Sequence, residues 1–151
     1  MIFRKAKFSD VEAIHHLIND YADKGLMLAR ARNLLYESLR EFTLAEKDGV
    51  IVGIGALHMC WDALAEIRAL AIAPSIVKTG VGRQIVEKLT EEARELGVRT
   101  IFALTYQPGF FAKLGFAETA KEKLSQKVWK ECINCAKFPN CDEIAMIKTL
   151  S

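Results

Sequence analysis

An α/β domain built on a mixed sheet is what this 151-residue sequence predicts, and three observations carry the prediction. Short runs of period two alternate along the chain with segments whose apolar residues recur every three or four positions. Asp48-Gly49 lies between two strand-like runs, a tight-turn signal that makes the start of the sheet antiparallel. Val50 to Met59 is apolar on both alternating faces apart from His58, which asks for cover on both sides of a central strand.

Taken in order, Met1 to Lys7 alternates and reads as a short strand. Ser9-Asp10-Val11-Glu12 has the Ser-x-x-Glu form of a capping box, and Val11, Ile14, Leu17 and Ile18 follow at helical spacing, giving a helix over 10–22. The loop KGLMLAR (24–30) interrupts that pattern before a short helix over 32–39. Phe42 to Glu46 and Val50 to Cys60 are the hairpin strands. Leu64 to Ala73 is the next strand, whose alternation sets Glu66, Arg68, Leu70 and Ile72 on one face and Ala65, Ile67, Ala69 and Ala71 on the other. From Gly82 onward Ile85, Leu89, Ala93 and Leu96 repeat at helical spacing until Gly97 supplies a stop. Arg99 to Thr105 reads as a strand, Pro108 to Leu114 as a short helix and Glu143 to Leu150 as a final strand. No internal repeat or low-complexity segment is visible.

Composition narrows the function. With 51% apolar residues, 1–151 reads as a single domain able to bury a real core. Lys and Arg number 21 against 19 Asp and Glu, and a net charge of +2 is too small to make nucleic acid the main partner. The N-terminus MIFRKAKFSD has no apolar signal region, and no uninterrupted apolar run approaches the roughly 20 residues of a membrane span, so a cytoplasmic protein is expected. Four cysteines are too few to staple a domain of this size.

The stretch VKTGVGR (77–83) stands between a strand and the long helix. Glycines there let the backbone approach a ligand, and a helix N-terminus offers unpaired N–H groups, so the arrangement suits an anion. A plain tight turn before a surface helix is the alternative reading. Neither a P-loop nor a dinucleotide-binding glycine fingerprint is present, which argues against ATP and NAD.

The ordered set EIRALAIAP, VKTGVG, RQIVEKLTEEA, RTIFALT and FFAKLGF resembles the GNAT acyltransferase superfamily across nearly the whole chain. The resemblance implies a mixed, mostly antiparallel sheet of about six to seven strands with helices on both faces, and acetyl-CoA as co-substrate. It would set Lys78, Thr79, Gly80, Val81, Gly82 and Arg83 around the pyrophosphate of coenzyme A, pair the pantetheine arm with the backbone of Leu70, Ala71 and Ile72, and put Phe111 beside the cofactor. Val77 departs from the family's usual Gln or Arg, with Lys78 adjacent. Phe111 stands where many members carry an acid tyrosine.

KGLMLAR, EIRALAI and LTYQPGFFAKLGF are similar to short, stand-alone relatives of N-acetylglutamate synthase. That similarity implies acetyl transfer to the α-amine of L-glutamate, the first step of arginine biosynthesis. Two carboxylates call for cations, and guanidinium forks bind carboxylates in bidentate geometry. Arg30 and Arg68 are the candidates, with Lys24 and Lys127 as further cations. A pair with Glu66 is the other reading of Arg68, and a solvated loop position that of Arg30. Glu66 is the candidate base for the attacking amine and Tyr106 a candidate acid, while backbone N–H groups of the strand would serve the developing oxyanion.

Cys132, Cys135 and Cys141 form C-x-x-C-x5-C, but no histidine follows His58 to complete a four-ligand zinc site, and no metal is expected. Plain thiols in a substrate-covering loop are the first reading, a labile disulfide or redox role the second, and a metal site, which would need Asp142 or a distant residue as fourth ligand, the third. The alternatives to glutamate are another acceptor, such as a protein N-terminus or polyamine, and a non-catalytic acyl-CoA-binding or thiol-sensing module. A homodimer is compatible with the sequence.

Overall fold

The computed structural model describes residues 1–27, 29–120 and 143–150. Its elements are β1 (Ile2–Lys5), α1 (Val11–Asp23), α2 (Arg32–Glu37), β2 (Phe42–Lys47), β3 (Val50–Trp61), β4 (Leu64–Ile72), α3 (Val81–Glu95), β5 (Thr100–Thr105), α4 (Pro108–Ala112), β6 (Ala117–Thr119) and β7 (Ile144–Thr149). Single turns of 3-10 helix precede α1, β2 and α3. The strands run in the order β1-β2-β3-β4-β5-β7-β6, with β1/β2, β2/β3, β5/β7 and β6/β7 antiparallel and β4/β5 parallel. The mixed, mostly antiparallel α/β sheet expected from sequence is what forms. Two compact units are distinguishable, Met1–His58 with Ile67–Glu92, and Met59–Glu66 with the described part of the chain from Ala93 onward.

In the first unit the Asp48-Gly49 turn behaves as its residues dictate, with φ of 53° and 79° joining β2 to β3. Val52 to Leu57 is buried throughout, so β3 is covered on both faces. Alternation explains how. Ile54 and Ala56 join Val11, Ile14, Leu17 and Ile18 of α1 in one cluster, while Gly53 and Gly55 face Ile85 and Leu89 of α3. The glycines are needed because a Cβ at Gly53 would stand 2.9 Å from Ile85 Cδ1, and one at Gly55 would stand 2.7 Å from Ile85 Cγ2. Helix α3 therefore lies directly on the backbone of β3. It ends as Gly97 predicts: that residue has φ 85°, its N–H reaches Arg94 O, and Val98 N–H reaches Ala93 O, the paired bonds of a Schellman ending.

The Ser9–Glu12 capping box does not form. Asp10, three residues after Lys7, takes the Lys7 N–H at 2.8 Å, while Glu12 is drawn into an ion pair with Arg32 at 2.7 Å. Asp10 is instead the hub of the β1–α1 connection. Arg4 grips both its oxygens (2.8 and 2.9 Å) and reaches Glu46 on β2 at 2.9 Å. The Arg4 hydrogen bonds hold the Asp10 carboxyl below the usual carboxylate range, against the opposing effect of its burial.

Strand β4 departs from a uniformly extended backbone. Ala69 has φ 56°, left-handed backbone in mid-strand, yet it packs on the α1 cluster, the face that alternation gives it with Ala71. Beyond it, Leu70 and Ile72 lie against the Gly55 and Gly53 sites beneath α3, whereas Ala71 joins the α1 cluster.

In the second unit, β5 pairs along its whole length with β7, and Phe102 and Ala145 are buried together. The three-residue strand β6, too short to carry a periodic signal, adds to β7. Lys148 on β7 donates to Leu114 O at 2.9 Å and lies over the Phe116 ring. Among the described residues no helix is long and apolar enough to cross a membrane.

Candidate functional site

The stretch Ile76–Arg83 forms a strand-to-helix connection whose conformation follows from its residues. Lys78 and Gly80 both take positive φ (71° and 90°), turning the chain sharply between the 3-10 turn Pro74–Ile76 and α3. The Thr79 side chain fastens this turn, its hydroxyl donating to Ile76 O at 2.6 Å, so its hydrogen is committed internally rather than offered to a ligand. The first helical bond runs from Gln84 N–H to Gly80 O, and the N–H groups of Val81, Gly82 and Arg83 come before that closure. No acidic residue stands in the first turn of α3. Lys78 is exposed, and Arg83 is exposed in a 3.4 Å pair with Glu87. Backbone donors, the helix dipole and two cations without an opposing carboxylate in the first turn fit a pyrophosphate.

Strand β4 leads into this turn. Its parallel ladder with β5 comprises Leu64↔Thr100, Ala65↔Ile101 and Glu66↔Phe102, so Leu70, Ala71 and Ile72 lie beyond it. Ala73 N–H donates to Val52 O on β3 at 2.8 Å, which turns the peptide groups of the preceding residue toward the other edge. There the backbone of Ile72 meets Tyr21 of α1: the hydroxyl donates to Ile72 O at 2.9 Å and accepts from Ile72 N–H at 3.1 Å. Ile72 was expected to offer those groups to a ligand. They are engaged by a side chain 51 positions away, a contact that no local spacing announces.

The expected acceptor-binding and catalytic residues divide between the units. In the first, Arg30 is half-buried just before α2, Arg68 is half-buried on β4 with its Nε buried, and Lys24 is exposed where α1 ends. In the second, Glu66 is half-buried on β4 and Tyr106 half-buried directly after β5, where Thr105 Oγ1 accepts the Gln107 N–H. Phe111 is 4% exposed and packs edge-on against Phe110 and Phe116 (5.1 and 5.2 Å between ring centres), a core contact. Lys127, Cys132, Cys135 and Cys141 lie outside the described residues. Among those described, no group of His, Cys, Asp and Glu has the arrangement of a metal site.

One polar pair was not foreseen. His58 Nδ1 lies 2.9 Å from Glu41 Oε2, with both side chains about a quarter exposed. The carboxylate that engages the imidazole comes from the 3-10 turn before β2.

Residues 11–116 match the model of the acetyltransferase (GNAT) family. The chain belongs to this family. It is an acetyl-CoA-dependent N-acetyltransferase. An uncharacterized N-acetyltransferase of Chlorobaculum tepidum is 41% identical over 147 residues, covering 97% of this chain and 95% of that one. An amino-acid acetyltransferase of Mycobacterium tuberculosis is 39% identical over 133 residues, covering 86% and 76%. Among solved structures, Rv2747 of Mycobacterium tuberculosis in complex with CoA superposes at a TM-score of 0.88 with 34% identity, each chain covered completely. The N-acetylglutamate synthase of Neisseria gonorrhoeae, complexed with coenzyme A and N-acetyl-glutamate, superposes at 0.91 with 26% identity, covering 99% of this chain and 35% of that one. As a GNAT enzyme the chain uses acetyl-CoA as its co-substrate, and the backbone of VKTGVGR matches that ligand's charge.

Proposed function

We propose that this GNAT enzyme transfers the acetyl group of acetyl-CoA to the α-amino group of an amino acid, with L-glutamate as acceptor. The observation that carries the reading is the presence of two half-buried arginines, Arg30 and Arg68, in the unit that also bears the VKTGVGR turn. A dicarboxylate needs two cationic partners, and a guanidinium fork supplies the bidentate contact that an ammonium does not. The amino-acid acetyltransferase relative and the N-acetyl-glutamate in the Neisseria complex support the same acceptor class.

In this reading the pyrophosphate sits on the N–H groups from Gly80 to Arg83, with Lys78 contributing charge, and the pantetheine arm runs along Leu70 to Ile72. Lys24 and Lys127 add positive charge for the acceptor. Glu66 takes a proton from the substrate ammonium. The free amine attacks the thioester carbonyl and a strand N–H steadies the oxyanion; as the adduct collapses the C–S bond breaks, the CoA thiolate takes a proton from Tyr106, and the proton shed by the new amide nitrogen restores the tyrosine. The reaction needs no metal.

Release of CoA from acetyl-CoA across the twenty amino acids, spermidine and an N-terminal peptide tests the reading, with each product identified by mass. Turnover is expected with glutamate and its near neighbours. Arg68→Ala should raise the KM for glutamate about 10- to 100-fold, the loss of a charge-assisted hydrogen bond, and leave acetyl-CoA binding intact. Turnover confined to spermidine or the peptide, or unchanged glutamate kinetics in the variant, would refute the assignment.

A further inference from the structure

Tyr21 joins two parts of the candidate site. Its backbone carbonyl accepts the N–H groups of Lys24 (3.2 Å) and Leu26 (3.0 Å), fixing the start of the loop that leads to Arg30. Its ring packs on the α1 core, and its hydroxyl spends its one hydrogen on Ile72 O while accepting Ile72 N–H. These two groups lie on the edge of β4 away from β3, where a further strand or an extended amide would pair.

We propose that Tyr21 is a displaceable latch on the coenzyme A groove. The inference rests on the reading above, in which the pantetheine arm runs along Leu70–Ile72. An amide of that arm offers one donor and one acceptor to a strand residue, the same complement that the Tyr21 hydroxyl presents to Ile72. The two partners address the same two backbone atoms and exclude one another. Acetyl-CoA must therefore break both Tyr21 bonds to seat its arm, and part of its binding free energy goes into that exchange. Until then the hydroxyl keeps the strand edge satisfied, so that neither Ile72 group is left to pair with another chain.

The hydroxyl thus weakens acetyl-CoA binding, the reverse of what a residue contacting the ligand would do. Tyr21→Phe keeps the ring and removes the competitor. By calorimetric titration the variant should bind CoA about two- to tenfold more tightly than the wild type, the fold-change that corresponds to one ordinary hydrogen bond. Its Tm without CoA should fall, and that deficit should close at saturating CoA. An unchanged or weaker affinity, or a Tm deficit that persists at saturation, would overturn the latch. Failure of the wild-type protein to bind CoA would overturn the function reading first, and is seen before any variant is made. Should the variant not fold, the wild type still decides the question: the 13Cζ resonance of Tyr21 should move toward its water-exposed position as CoA is added, and a resonance that stays put would count against displacement.

Discussion

The packing of α3 on β3 can be tested atom by atom. Gly55→Ala would put a methyl 2.7 Å from Ile85 Cγ2, 3.2 Å from Leu89 Cδ1 and 3.3 Å from Leu70 Cδ1. Ile85 and Leu89 are wholly buried, and Ile85 Cγ2 hangs directly on Cβ, so no χ2 rotation can clear it. Gly53→Ala meets Ile85 Cδ1 at 2.9 Å, the far end of the same side chain, which can swing away. Overpacking costs about 1–3 kcal/mol, with about 0.5 kcal/mol returned by the stiffer unfolded chain. Gly55→Ala should therefore lose about 2 kcal/mol and Gly53→Ala about 1 kcal/mol. Ile85→Val deletes Cδ1 but keeps Cγ2, at a cost of about 1 kcal/mol alone. It should relieve Gly53→Ala in the double variant and simply add to Gly55→Ala. Urea midpoints at constant m supply the numbers. If Gly53→Ala proves the costlier change, or Ile85→Val couples equally to both, α3 does not sit on the strand as described.

Two other perturbations have signs fixed by the geometry. Arg4→Met strands the Asp10 carboxylate, whose side chain is 8% exposed, and should cost about 3 kcal/mol near neutral pH. Because Arg4 depresses the folded Asp10 pKa, its stabilisation is present above the unfolded value and is lost as pH falls, so the gap between wild type and variant should narrow below about pH 4 in denaturation curves. Thr79→Val removes the 2.6 Å bond to Ile76 O and should raise the KM for acetyl-CoA about three- to tenfold while leaving the Tm nearly unchanged, measured by CoA release and thermal melting.

What the sequence reveals and what it hides divide along physical lines. Asp48-Gly49 announces its turn because both positions need positive φ, and α3 announces itself because Ile85, Leu89 and Ala93 must fall on one face. The VKTGVGR turn is legible for a related reason: the glycines that let the chain turn leave a readable trace. Side-chain partners recruited across the fold leave none. Tyr21 looks like one more aromatic on a helix, and neither Glu41 nor His58 names the other. The Ser9–Glu12 box misleads because a cap is a contest among nearby acceptors, and Arg4 and Lys7 together decide it for Asp10.

Ala69 is the least legible feature and the one that bears most directly on β4. An alanine in an alternating run carries no signal for φ 56°, yet the left-handed region costs a non-glycine residue about 1–2 kcal/mol. Such a cost persists only where the surrounding structure enforces it. The enforcement is visible on both sides of the strand: Leu70 and Ile72 are held under α3, and Ala71 is held in the α1 cluster. Ala69→Gly should then relieve the strain by about as much as it adds in unfolded-chain entropy, leaving stability within about 0.5 kcal/mol of wild type. Ala69→Val should cost about 2 kcal/mol or more, although valine is favoured at ordinary strand positions. Ala71→Gly, at a buried site two residues further along the strand, should cost about 1 kcal/mol or more. The contrast between Ala69→Gly and Ala71→Gly separates a bent strand from a merely alanine-rich one. If Ala69→Val is tolerated while both glycine variants destabilise alike, β4 runs straight in solution, and the presentation of the Ile72 edge to Tyr21 would need another origin.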